Sequence, residues 1–270
     1  MRVWTAVRRA APAALLVLTA CAGPAGTDPT HPAFPEDPAF DYQLGGAYPP
    51  PEGTAVVVRD AAADPAPGLF NVCYVNGFQT QPGERADWLA HRPELVLHDP
   101  AGDPVADENW PDELLLDTST AQRRDRIAEV VGETVRGCAR AGFDAVELDN
   151  LDSYLRSGGA LTMADNLALA TALIRIAHDS GLSVGQKNTA DLGVRGRDEA
   201  GFDFAVVEEC RRWDECDAYR EAYGGRVIDI EYTDDWPEPA QACAGDGPAT
   251  ILRDRALVPA GEPGHFYRHC

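Results

Sequence analysis

Positive charge is what this chain has least of. Its 270 residues carry 23 lysines and arginines against 44 aspartates and glutamates, a formal charge of −21, and lysine occurs once, at Lys187. The first 20 residues hold Arg2, Arg8 and Arg9 and no acid, so removing them takes the charge to about −24. A phosphate-binding surface needs a basic footprint, so nucleic acid is excluded as a partner. Electrostatic docking on anionic lipid is excluded on the same ground. Other absences narrow the chemistry. No Cys-x-x-Cys pair or Cys/His cluster has zinc-ligand spacing, and no D-x-D-x-D-G loop is present, so no metal is expected. There is no G-x-S-x-G elbow for a Ser/His/Asp hydrolase and no Gly-rich phosphate turn for a doubly wound sheet. No cofactor is expected, and no fixed-period repeat occurs.

What is present suits one large exported domain. The length fits a single α/β barrel, and 44% hydrophobic residues can build a sizeable core. The chain opens with a basic stretch and an apolar run at residues 10–18, too short to cross a bilayer roughly 30 Å thick. Leu18-Thr19-Ala20-Cys21 resembles the bacterial lipobox. That resemblance implies a lipoprotein signal peptide over 1–20, a lipid on Cys21, and a protein held on the outer face of the cell membrane. Residues 21–38, rich in Pro, Gly and small polar residues, read as a linker, and His31 within it has no expected catalytic role. The folded domain is expected over 39–270, as a monomer.

Setting Cys21 aside leaves six cysteines, which in an exported chain read as three disulfides. Cys210 and Cys216 are nearest neighbours and are paired first; Cys243 with Cys270 and Cys73 with Cys138 follow by elimination.

From residue 39 on, short β-rich runs alternate with helical patterns. Strands are expected at 55–58, 70–75, 95–98, 114–116, 145–148, 182–186, 204–207, 227–230 and 249–252. One helix is expected to start at Ser119 or Thr120 and stop at Gly142, with Ile127, Val131, Val135 and Cys138 on one face. A second opens on Thr162 with Asp165 as an acidic capping box and ends at Gly181. This alternation argues for a parallel sheet, and some eight units argue for a (β/α)8 TIM-like barrel with allowance for irregularity.

Barrel enzymes carry their sites at the C-terminal strand ends. The expected ends present Asp60, Asp117, Asp149 with Asn150, Lys187 with Asn188, Glu208 with Glu209, and Glu231 with Tyr232. Strand alternation turns Glu147 and Asp149 toward the axis, likewise Ser183, Gly185 and Lys187, and likewise Asp229 and Glu231. Charges on an axis must pair or do chemistry. The structural alternative is therefore a salt-bridge network around Lys187, with Glu147 or Asp229 as partner. Two carboxylates facing each other across a barrel mouth are the equipment of glycosidic-bond hydrolysis. Tyr74, Trp110, Tyr154, Tyr232 and Trp236 lie near the same ends and suit sugar stacking. His98 is expected to serve as a hydrogen-bonding group.

Six ordered motifs over about residues 40–232 carry a family resemblance. The run from Gly142 through Glu147, Asp149, Asn150 and Asp152 to Tyr154 resembles the G-F-D-G-V-E-P-D-N-x-D-x-Y segment of glycoside hydrolase family 114, the endo-α-1,4-polygalactosaminidases. Phe40-Asp41-Tyr42-Gln43 resembles its opening W-x-x-Q, and Trp110-Pro111-Asp112-Glu113 with Asp117 its W-P-x-E-x-x-L-D. Gly185 to Asn188 resembles G-x-K-N, Phe204 to Cys210 resembles F-A-x-N-E-Q-C, and Ile230-Glu231-Tyr232 resembles the late I-E-Y. The sequence departs from the pattern at Val207, at Glu209 and at the strand end Asn76-Gly77-Phe78-Gln79. The resemblance implies a cofactor-free hydrolase cutting galactosamine polymers internally, with Asp149 as nucleophile and Glu208 as acid/base, or the two roles exchanged. Asp60, Tyr74, Asp117, Asn150, Lys187, Asn188, Glu231 and Tyr232 are the expected substrate-binding residues. A cationic or partly deacetylated amino-sugar polysaccharide is the expected partner. A non-catalytic polysaccharide-binding lipoprotein on the same barrel, or a glycosidase for another amino-sugar polymer, are the competing readings.

Overall fold

The computed structural model describes Met1, residues 31–236 and residues 238–270. Among these, nine strands form one sheet in sequence order: β1 (Phe40–Gln43), β2 (Val56–Asp60), β3 (Phe70–Asn76), β4 (Ala145–Asp149), β5 (Ser183–Lys187), β6 (Phe204–Glu208), β7 (Val227–Tyr232), β8 (Ala249–Arg253) and β9 (Tyr267–His269). The first eight pair in parallel, and β9 runs antiparallel to β8. The sheet curls until β8 lies beside β1. There the fully buried Arg253 of β8 reaches the Asp41 carboxylate at 3.2 Å and the carbonyl of Tyr42. The result is a nearly closed, irregular TIM-type barrel.

Long helices cover only part of its outside. They are α2 (Ala121–Ala141), between β3 and β4, and α3 (Met163–Asp179), between β4 and β5. Both begin and end as the sequence pattern requires. The Thr120 hydroxyl caps α2 and Gly142 closes it with a positive φ of 95°. Thr162 and Asp165 make a reciprocal capping box on α3. The other helices are short: α1 (Arg85–His91), α4 (Cys210–Trp213), α5 (Cys216–Tyr223) and α6 (Pro239–Ala242).

Alternation along the strands separates two cores. Phe40, Tyr42, Val58, Phe204, Val206 and Ile230 pack on the barrel axis, while Val146, Leu148, Val184 and Val207 pack outward with the apolar stripes of α2 and α3. Disulfides join Cys73 to Cys138, Cys210 to Cys216, and Cys243 to Cys270. These are the three pairs expected.

Several expectations change. Residues 95–97 and 114–116 are buried, but these runs lie outside the barrel. They touch through isolated antiparallel bridges such as Val96 with Leu116, inside the long excursion between β3 and α2. Their short apolar, leucine-rich runs look like barrel strands, but their backbone bonds go to each other and to Phe78 and Val105. The strand at 40–43 was unexpected because it is short and interleaves Asp41 and Gln43 with its apolar pair. The linker expected over 21–38 is packed against the barrel from residue 31. Phe34 is 3% exposed and stacks on Phe204 with ring centroids 4.0 Å apart, closing the lower end of the axis. Cys21 and the rest of the expected signal and linker lie outside the described residues. Among the described residues no helix is long and apolar enough to cross a membrane.

Candidate active site

Lys187 is the centre of the barrel mouth. Its side chain is 3% exposed, and its ammonium lies 3.2 Å from Glu147, 3.4 Å from Asp149 and 3.2 Å from Glu208. The Tyr42 hydroxyl stands 3.3 Å from the same nitrogen and donates to Glu147 at 2.9 Å. Gly185 lies one layer below, where any Cβ would meet the Phe204 ring at 2.6 Å, so only glycine allows that ring to fill the axis under Lys187.

Because one ammonium touches both Asp149 and Glu208, the contacting oxygens are no further apart than the sum of those two contacts. That falls within the separation, up to about 9.5 Å, used by paired carboxylates in glycosidases. Each carboxylate also receives a tyrosine hydroxyl. Tyr74 donates to Asp149 at 2.6 Å, and Tyr232 donates to Glu208.

The electrostatics divide the two acids of β4. Burial raises Asp149, but the Lys187 charge, the Tyr74 hydroxyl and the Asn150 N–H outweigh it and hold Asp149 below the usual carboxylate range. Glu147 is fully buried, and burial with the Asp149 charge pushes it up to about 7 against the opposing pull of Lys187. Among the described residues its Oε2 has no hydrogen-bond partner. Burial works against the ammonium of Lys187, yet the charges of Asp149 and Glu208 raise it well above the ordinary lysine range. Of these two the deeper carboxyl is the first to hold a proton, while Asp149, 18% exposed, stays ionised at the mouth.

One backbone device recurs at three strand ends. The residue after Asp149, after Lys187 and after Glu208 is left-handed in each case: Asn150 at φ 63°, Asn188 at 45° and Glu209 at 62°. Such conformations cost on the order of 1–3 kcal/mol and concentrate at sites where position matters. Here they turn the chain sharply, leaving the last strand side chain standing at the mouth. The two asparagines then tie adjacent ends together. Asn150 donates to Asn76 of β3 at 2.9 Å, and Asn188 accepts the Glu208 N–H at 2.8 Å.

Of the residues expected at the site, Asp149, Glu208, Tyr74, Lys187 and Tyr232 are brought together, with Asn150 and Asn188 locking their strand ends. Three are not. Asp60 makes a local turn with the Ala62 N–H. Asp117 binds Ser119 and Arg123 at the start of α2. Glu231 lies on the outer face of β7, fully buried, accepting from the Arg211 N–H at 2.8 Å and the Trp236 indole at 2.7 Å. Asp229 likewise faces outward, toward the Cys210 N–H and Thr250. The expected parity of β7 is therefore reversed. Its register pairs Val206 with Ile228 and Glu208 with Ile230, and paired residues of parallel strands share a face. Ile228, Ile230 and Tyr232 take the axis.

Three residues near these strand ends were missed. Tyr42 belongs to the overlooked strand β1, and the alternation of Phe40 and Tyr42 with polar neighbours was its available signal. Glu113, whose carboxylate accepts from Asn76 at 2.8 Å, is pushed up to about 7 by burial. Trp213 stands 60% exposed on α4, five residues beyond Glu208.

Comparison with known proteins agrees with this architecture. Ega3 of Aspergillus fumigatus, solved in complex with galactosamine, superposes with a TM-score of 0.70 at 22% identity, covering 92% of this chain and 100% of that one. The glycoside hydrolase domain of PelA from Pseudomonas aeruginosa gives 0.59 at 17% identity, over 83% and 97% of the two chains. At such identities the likeness is one of fold. No curated protein matches the chain in sequence. The pattern of glycoside-hydrolase family GH114, however, spans residues 22–270, and the chain belongs to that family.

Proposed function

We propose that this glycoside hydrolase cuts α-1,4-linked galactosamine-containing polymers internally, with Asp149 as nucleophile and Glu208 as acid/base. The observation that carries the reading is the single buried ammonium of Lys187 shared by the two mouth carboxylates. An ionised Asp149 is suited to attack at the anomeric carbon, or to stabilise positive charge there, while Glu208 on the facing strand end serves the glycosidic oxygen. Tyr74 and Tyr232 orient the two groups. The same geometry accommodates the exchanged assignment.

The polymer is inferred from three supports. Family membership supplies the class of reaction. The galactosamine bound to the structurally similar Ega3 suggests the sugar. The charge of −21 would gather a polymer whose free amines are cationic. Exposed Trp110 and Trp213, on segments that follow β3 and β6, are the aromatic surfaces on which a long sugar chain would stack. Signal cleavage before Cys21 and lipid attachment there would hold the enzyme, as a monomer, on the outer membrane face.

The experiment is digestion of deacetylated α-1,4-galactosamine polymer by the purified protein. Mid-chain products are expected, at a rate that falls steeply with added salt. Intact polymer after prolonged incubation would overturn the substrate.

A further inference from the structure

At the opposite end of the barrel from Lys187, three segments bring two imidazoles onto one carboxylate. Asp203 immediately precedes β6, His178 sits in the last turn of α3, and His31 belongs to the N-terminal segment packed below the axis. His178 Nε2 lies 2.9 Å from Asp203 Oδ2, and His31 Nε2 lies 3.8 Å from Asp203 Oδ1. The two rings are stacked, with centroids 4.2 Å apart. One nitrogen or oxygen from each residue lies within 4.8 Å of those of the other two, and all three side chains are half-buried.

We propose that His31, His178 and Asp203 form a binding site for a divalent transition metal of the zinc class, clasping the N-terminal segment to the lower end of the barrel. The donor set is the two-histidine, one-carboxylate combination that such ions favour. The outer groups needed to aim the ligands are also there. Asp203 Oδ2 accepts the Val184 N–H at 2.8 Å, and His31 Nδ1 is 3.3 Å from the Ser183 hydroxyl, leaving its Nε2 turned to the carboxylate. With metal–ligand bonds of about 2.0–2.2 Å, seating an ion asks one of the two near-parallel rings, 12° apart in plane, to rotate so that both Nε2 lone pairs converge, and the 2.9 Å His178–Asp203 contact to open slightly. Half-burial leaves room for water in the remaining coordination positions. Spacing along the chain could not reveal the site, because four strands, β1 to β4, lie between His31 and His178.

The site is remote from the mouth, so the test does not depend on catalysis. Tag-free protein stripped with a chelator is titrated with zinc chloride by calorimetry and with cobalt(II) by visible absorption. The expected result is one equivalent of zinc, a cobalt d–d band of a four- or five-coordinate site, and a rise in Tm on zinc addition. His178→Asn and His31→Asn should each weaken zinc binding more than about 100-fold, beyond the 10–100-fold typical of removing a merely supporting group. Wild-type protein that binds no zinc, or variants that bind it as tightly as wild type, would overturn the proposal. If one variant fails to fold, the other and the wild-type cobalt spectrum decide it.

Discussion

Strands β4 and β7 carry the same kind of sequence, acidic residues alternating with aliphatic ones, and use it in opposite ways. In β4, Glu147 and Asp149 point to the axis, where Lys187 meets them, while Val146 and Leu148 pack under α2 and α3. In β7 the aliphatic residues take the axis, and Asp229 and Glu231 are buried outside against α4, on backbone N–H groups and Arg211. Burial and the neighbouring Glu231 charge push Asp229 well above the carboxylate range, against the pull of the Cys210 N–H and Thr250. Both strands bury carboxyls at a cost. Only β4 aims them at an open mouth. The face a charged residue occupies, more than the residue itself, separates a candidate reactive group from a structural one.

Substitutions can break this contrast, and the largest effect is expected in β4. Asp149→Asn should lower kcat by about 10³-fold or more with little change in Tm. Lys187→Met should lower it by about 100-fold, because the two mouth carboxylates lose their shared counter-charge. In β7 the expected result is reversed. Glu231→Leu orphans two N–H donors and should cost about 1–3 kcal/mol of stability for each, seen in urea unfolding, while kcat of the remaining folded enzyme is unchanged. A large loss of kcat in Glu231→Leu at full stability would put that residue back at the site.

A finer comparison is between the two tyrosines. Tyr74→Phe and Tyr232→Phe each remove a hydroxyl bonded to a charged oxygen, worth about 1.5–3 kcal/mol, and should each lower kcat by about 10–100-fold without moving Tm.

A separate effect is in pH dependence. Glu147 and Glu113 have ordinary values of 4.5 and are raised to about 7 in the fold, so the folded state holds protons that the unfolded state has released. Their contribution is complete below about 4.5 and is lost as pH rises toward 7. Stability should therefore decline across that window, and Glu147→Gln and Glu113→Gln should each flatten the decline in thermal melts taken at successive pH values.

The same contrast explains how much could be read beforehand. The faces of β4 and β5 were legible because Lys187 has nowhere to lie but among acids, and Val146 and Leu148 match helices with clear apolar stripes. The face of β7 was not, since its own alternation is symmetrical and only the pairing of Val206 with Ile228 decides it. Tyr42 was hidden in a four-residue strand. Asp60 and Asp117 occupy loop positions where an acid serves the local backbone as readily as a ligand. The lower triad of His31, His178 and Asp203 is assembled wholly by tertiary structure.

Asp149 and Glu208, joined by Lys187, are the proposed reacting pair. Their pairing is tested most directly by product release from deacetylated galactosamine polymer with the Glu208→Gln protein beside wild type. Wild type should yield short oligosaccharides, whereas the variant keeps its Tm, still binds the polymer and releases about 10³-fold less product or none. A Glu208→Gln protein that cuts at the wild-type rate would contradict that pairing.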